Sequence, residues 1–236
     1  MKKILLGFIA IGLLTFVGCE KEEDETTETS SEDSSIEYGE GATDIDGNTY
    51  KSVIIGEQEW MAKNLTTSRY SDGTSIPNVT YGTQWQNFLT GAWCNYNNSS
   101  TNDATYGKLY NWHAVETEKL CPTGWHVPTD AEWTVLTDYL TANGHSGSEG
   151  TALKSTSGWN SVGNGTDDYG WLGLPGGYRN FSYGSFYVIG DYGNWWSSSQ
   201  NGAANAWLRD LRSSYGNVGR YGVRKESGLS VRCLRD

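Results

Sequence analysis

The chain has 236 residues, with 28 acidic against 17 basic side chains, a net charge of −11, and 11 Trp, 15 Tyr and 30 Gly beside only 4 Pro. This acidity excludes nucleic-acid binding, which needs a basic face to displace counterions from the phosphates. At 36% hydrophobic and 13% aromatic the composition is that of a folded protein. Its few aliphatic residues imply a core of Trp and Tyr, each able to bury roughly 150–250 Å2.

Residues 1–18 read as a signal peptide. Lys2 and Lys3 precede an apolar run of 14 residues from Ile4 to Val17, short of the roughly 20 that a membrane-spanning helix needs. Phe16-Val17-Gly18-Cys19 resembles a bacterial lipobox, although Phe16 departs from the usual Leu. The resemblance makes Cys19 the lipidated first residue of the mature chain, with acyl chains such as palmitate holding it to a membrane. Residues 19–42 read as the lipidated Cys and an acidic tether: from Glu20 to Glu40 there are ten acids and one Lys, with no apolar periodicity. Lys21-Glu22-Glu23-Asp24 is similar to the export signal of surface lipoproteins in Bacteroidetes, and is equally a plain charged linker. The expected location is the outer membrane, on the cell-surface side. Residues 41–236 carry only −4 of the net charge.

Residues 43–236 show no linker and read as one α+β domain. Asp46-Gly47 marks a hairpin between Thr43-Asp44-Ile45 and the strand-like run from Thr49 to Ile55. Asp44, Asp46 and Asn48 carry oxygens that calcium would take, but the later ligands of a calcium loop are missing and the reading is a plain turn. Gly56-Glu57-Gln58-Glu59-Trp60 is a second turn into a short strand. Helical segments are expected over Trp85 to Leu89 and Leu109 to Val115. The strongest helix runs from Pro128 to Leu140: Thr129 and Glu132 have capping-box spacing, Trp133, Leu136 and Leu140 share a face, and Ala142-Asn143-Gly144 ends it. Beyond Gly170, strands are expected at Trp195 to Ser199, Ala206 to Leu211 and Leu229 to Cys233, the last burying Leu229, Val231 and Cys233 on one face.

Seven blocks in order carry a resemblance over nearly all of residues 43–236. They are Asp44-Ile45-Asp46-Gly47-Asn48-Thr49-Tyr50, Trp60-Met61-Ala62-Lys63-Asn64-Leu65, Tyr106-Gly107-Lys108-Leu109-Tyr110-Asn111-Trp112, the stretch from Pro122-Thr123-Gly124-Trp125-His126 to Glu132-Trp133, Leu174-Pro175-Gly176-Gly177-Tyr178-Arg179, Trp195-Trp196-Ser197-Ser198 and Ser230-Val231-Arg232-Cys233. The domain resembles the Fibrobacter succinogenes major paralogous domain of surface lipoproteins. That family implies a fold similar to C-type lectin-like and formylglycine-generating-enzyme domains, and no established activity. The resemblance favours a Cys94–Cys233 disulfide, because similar sequences often lack the Cys before Pro-Thr-Gly-Trp. A Cys121–Cys233 bridge is the alternative, by analogy with lectin-like domains.

No catalytic constellation stands out and no cofactor is expected. Formylglycine generators need a cysteine pair near the chain end, where this sequence has Cys233 alone. His113, His126 and His145 lack metal spacing, Glu132 is accounted for as a cap, and nothing shows that Asp167 and Asp168 converge as a glycosidase pair. The expectation is a non-catalytic module that binds a glycan or a surface protein. A structural surface-layer protein and, behind it, a carbohydrate-active enzyme are the alternatives. By analogy with lectin-like folds the ligand face lies between Asp191 and Ser227, with Trp207, Arg209, Arg212, Tyr215, Arg220 and Tyr221 as contacts.

Overall fold

The computed structural model describes residues 36–236; the expected signal peptide, the expected lipidation site Cys19 and the expected tether up to residue 35 lie outside the described residues. The architecture is α+β, with short helices and small antiparallel sheets. A first hairpin pairs β1 (Ala42–Thr43) with β2 (Thr49–Tyr50). Its loop is longer than the expected two-residue turn because the Asp44 carboxylate accepts from the amides of Asp46 and Asn48 at 3.0 and 2.9 Å, while Gly47 takes a positive φ of 86°.

β3 (Ser52–Ile55) and β4 (Gln58–Met61) follow, then a single helical turn, α1 (Gly82–Trp85). The helix expected from Trp85 to Leu89 therefore ends where it was to begin. β5 (Trp93–Cys94), α2 (Thr101–Tyr106), β6 (Leu109–Tyr110) and α3 (Trp112–Val115) come next. The helix expected over Leu109 to Val115 is split at Asn111, whose Oδ1 caps α3 by accepting from Ala114 N at 3.2 Å and also accepts from Ala92 N at 2.9 Å. After β7 (Trp125–His126) comes α4 (Asp130–Leu140), which carries the expected capping box and buries Trp133, Leu136 and Leu140. α5 (Glu149–Leu153), β8 (Tyr178–Arg179) and β9 (Phe186–Tyr187) lead to a meander of β10 (Tyr192–Gln200), β11 (Asn205–Arg212) and β12 (Gly219–Arg224). The chain closes with β13 (Leu234–Arg235), which sits between β4 and β7 in the sheet β3-β4-β13-β7.

The strand expected over Leu229 to Cys233 is an extended seam. Leu229 exchanges backbone hydrogen bonds with Tyr110, Ser230 bonds to Asn194 and Trp196 in β10, and Val231 and Cys233 accept from Leu65 and Met61. Alternation along it serves two cores at once. Leu229, Val231 and Cys233 enter a cluster with Trp112, Trp125 and Trp196, while Arg232 turns to the tryptophans of the other, which holds Trp60, Trp133, Trp171 and Trp195. β10 alternates likewise, so the adjacent Trp195 and Trp196 serve different cores. Seven of the 11 tryptophans are fully buried, as the composition implied.

Two expectations are corrected. Residues 36–42, assigned to the tether, belong to the fold: Ile54 N donates to Glu37 O, Gly39 N to Ser52 O, and Ile36 packs on the second core. They cover the otherwise open edge of β3. The disulfide is Cys121–Cys233, not Cys94–Cys233. Cys121 and Cys233 meet in the first core, whereas β5 carries Cys94 into a third cluster with Val79, Trp85, Tyr96 and Leu109. There Cys94 is a free thiol that burial pushes up to about 12.

Arg232 is fully buried, and among the described residues no carboxylate hydrogen-bonds it. Its guanidinium donates to Trp171 O, to Leu172 O at 3.2 Å and to Asn64 Oδ1 at 2.7 Å, and lies 3.9 Å from the Trp171 ring centre. The same Asn64 Oδ1 accepts from Trp195 Nε1 at 2.8 Å. Asn64→Ala removes the acceptor of a buried charge and of a buried indole. We predict a loss of about 3 kcal/mol in chemical denaturation, against under about 0.5 kcal/mol for Val162→Ala on the surface.

Candidate functional site

The six expected ligand contacts do not form one face. In the β11–β12 ladder Arg209 pairs with Arg220, Leu208 with Tyr221 and Asp210 with Gly219. Since successive side chains alternate, Trp207, Arg209 and Arg220 project to the α4 side, and Asp210, Arg212 and Tyr221 to the other.

On the α4 side the charges are structural. Asp130, the first residue of α4, pairs with Arg209 at 2.6 Å and Arg220 at 2.8 Å, and Arg209 also donates to Asp130 O at 3.0 Å. Hydrogen bonds from Arg220 and Arg209 outweigh burial and hold the Asp130 carboxyl below its ordinary range. Arg209 is only 3% exposed, which corrects its assignment as a ligand contact: its guanidinium locks the helix start to the sheet. Arg220 is exposed, with its guanidinium 3.5 Å from the Trp207 ring centre and its donors on Asp130.

On the opposite side, Asp210, Arg212, Tyr215, Asn217, Gly219 and Tyr221 line an open cleft of about 200 Å3. Arg212 Nε donates to Asp210 Oδ2 at 2.7 Å. Its guanidinium lies 4.9 Å from the Tyr192 ring centre, 4.8 Å from Tyr221 and 5.9 Å from Tyr215, a cage that favours a cation. Burial opposes the charge on Arg212, but the Asp210 carboxylate outweighs it and raises the pKa. Asp210 is 3% exposed, and burial raises its pKa against the pull of Arg212. Its Oδ1 accepts no hydrogen bond among the described residues. The oxygen lies over Gly219, where an added Cβ would stand 2.0 Å from it and 2.7 Å from the Tyr221 ring. Glycine at 219 thus keeps the cleft floor open.

The loop carrying Tyr215 and Asn217 is held from beneath. Thr151 N in α5 donates to Gly216 O at 2.9 Å. The buried Lys154 Nζ donates to Arg212 O at 3.1 Å and Tyr215 O at 2.9 Å. Sequence reasoning missed Lys154, which has no local signal, and Asp210, which the period-2 pattern places on the same face as Arg212.

The two largest of the other clefts found among the described residues hold other polar groups. One of about 780 Å3 lies between the segment Tyr38–Thr43 and Lys63. One of about 660 Å3 is lined by Glu116, Trp125, His126, Ser199 and Asp236. In the latter His126 bonds Asp236 at 2.7 Å and Glu132 at 3.0 Å; burial works against its charged form, but these hydrogen bonds raise its pKa. Asp167 and Asp168 turn to different partners: Asp167 Oδ1 accepts from Leu172 N, and Asp168 Oδ2 from Thr166 Oγ1. Asp44 and Asp46 also diverge, the first bound by Asn48 and Tyr50, the second by Ser68 and Arg69. No group of three or more His, Cys, Asp or Glu suited to a metal occurs among the described residues.

The sequence pattern of the Fibrobacter succinogenes major domain matches residues 53–235. That span takes in both sides of the meander, the disulfide and the Asn64–Arg232 network. No curated protein matches the chain.

Asp130→Ala leaves the buried Arg209 without its carboxylate. We predict a loss of about 2–3 kcal/mol in denaturant unfolding, partly recovered by adding Arg209→Met, because removing one partner of a desolvated pair costs more than removing both.

Proposed function

The chain belongs to the Fibrobacter succinogenes major domain family, and from that premise we propose that it is a lipid-anchored, non-catalytic module that captures a glycan or protein ligand at the bacterial cell surface. The observation that carries the reading is the convergence of Arg212, Tyr215 and Tyr221 with Asn217 on one open cleft. Rigid aromatic rings supply contact area at low entropic cost, and the polar groups between them supply direction. Tyr215 and Tyr221 are 57% and 48% exposed, a cost in water contact that a stacked ligand would relieve. Asp210 is the one carboxylate lining the cleft among the described residues, whereas glycoside hydrolysis ordinarily takes two across the scissile bond. A lectin-like fold, in which this stretch is the exposed face, is part of the same proposal.

Export and anchoring rest on the apolar leader ending at Cys19 and the acidic run that follows. The Cys121–Cys233 disulfide supports them, since such bridges persist in oxidising compartments. Trp207 and Arg220, on the α4 side, lie outside this cleft in the proposal.

Two outcomes test the reading. In surface-binding assays of the full chain against glycans and bacterial surface proteins, Tyr215→Ala and Tyr221→Ala should each weaken the captured ligand by about tenfold, with little change in melting temperature. Uniform silence of the wild type would favour a structural surface-layer role instead. Cys19→Ala should move the protein from the membrane fraction to the soluble one, and retention in the membrane would sink the anchor.

A further inference from the structure

The charges around the cleft are already matched. All four arginines of β11 and β12 have a carboxylate partner: Arg209 and Arg220 share Asp130, Arg212 holds Asp210, and Arg224 meets Glu226 at 3.2 Å. An anionic ligand would have to displace one of these carboxylates and leave it without its cation. The arginine-rich appearance of the stretch therefore misleads, because it offers no unpaired positive charge.

What the cleft leaves unpartnered is an acceptor. Asp210 lines the cleft, and its Oδ1, buried beneath the cleft floor beside Gly219, lacks a donor among the described residues; a carboxylate oxygen left in that state is costly. A ligand that fits must bring a donor. An ammonium group would bring one, but the Asp210–Arg212 pair is neutral as it stands and the added charge would sit beside a guanidinium that shares the same carboxylate. A hydroxyl group satisfies the oxygen and leaves the charge balanced.

Size and shape narrow the class. A volume of about 200 Å3 is that of about six or seven waters in the liquid, room for one sugar ring and not for a chain of them. Tyr221 and Tyr215 are exposed side chains at its wall, and where Arg212 does not cover their rings they suit the apolar C–H face of a pyranose. Asn217 adds an amide that both donates and accepts. Resting on the binding-module reading above, we propose that the cleft takes a single neutral pyranose residue, one hydroxyl of which donates to Asp210 Oδ1 while its apolar face lies against Tyr215 and Tyr221.

The test titrates the full chain with methyl glycosides of galactose, mannose, fucose and N-acetylglucosamine, and separately with glucuronate, sialate and choline, by saturation-transfer NMR and calorimetry. A neutral glycoside should bind with little dependence on salt. Asp210→Asn should weaken it by about tenfold or more, because the Asn carbonyl must face Arg212 and its amide then replaces the free acceptor with a donor. Tyr215→Ala changes an exposed side chain, so a comparable loss there keeps the proposal testable if Asp210→Asn fails to fold. Binding confined to the charged probes would overturn the proposal, as would neutral binding untouched by both variants. A protein ligand that needs Tyr215 and Tyr221, with every sugar silent, would overturn the sugar class and leave the binding-module reading standing. Loss of every ligand class would remove both.

Discussion

Arg232 carries a positive charge into a site walled by Trp171 and Trp195, and the path of the chain follows from satisfying it. A charge taken out of water must be met by polar groups fixed in place. Here they come from distant segments: the carbonyls of Trp171 and Leu172, and the side chain of Asn64. Burial lowers the Arg232 pKa to about 9, with Asp167 opposing the shift, so the group stays protonated at neutral pH. Asn64 in turn accepts from Trp195 and donates to Tyr106 O. One amide thus ties the turn after β4, the end of α2, the first strand of the meander and the closing seam. Arg179 repeats the device elsewhere, fully buried, donating to the carbonyls of Val79, Thr80 and Gly184 and lying against Trp85.

This arrangement explains how a chain with short elements holds long loops. Trp195 is fixed by Asn64, which places β10; β11 and β12 then follow by antiparallel register. The α4 side of that meander is locked by Asp130, and the loop beyond β11 by Lys154 and α5. The cleft at Asp210 and Arg212 is therefore built on a braced strand pair and not on a free loop, which is the condition for a pre-organised site.

Where the local signal was strong, the elements were legible in the sequence. The capping box of Thr129 and Glu132 and the face of Trp133, Leu136 and Leu140 marked α4, and alternation marked the buried set Leu229, Val231 and Cys233. The two other helices were misread because a four-residue helix has little propensity of its own and is set by tertiary partners, as Asn111 shows in dividing β6 from α3. Of the two pairings open in the sequence, the alternative, Cys121–Cys233, is the one formed; no local pattern says which core a cysteine enters. Of the six expected contacts, Arg212, Tyr215 and Tyr221 line one candidate cleft, whereas Arg209 and Arg220 look the same in sequence and differ only in which side of the sheet they take, a matter settled by Asp130 on another element.

The proposed capture at the cleft of Asp210 is read out by amide chemical-shift mapping of the labelled protein during titration with neutral methyl glycosides. Saturable shifts centred on Asp210, Tyr215, Asn217, Gly219 and Tyr221 are expected. Shifts centred instead on the cleft around Glu116, His126 and Asp236, or on that beside Tyr38 and Lys63, would contradict it.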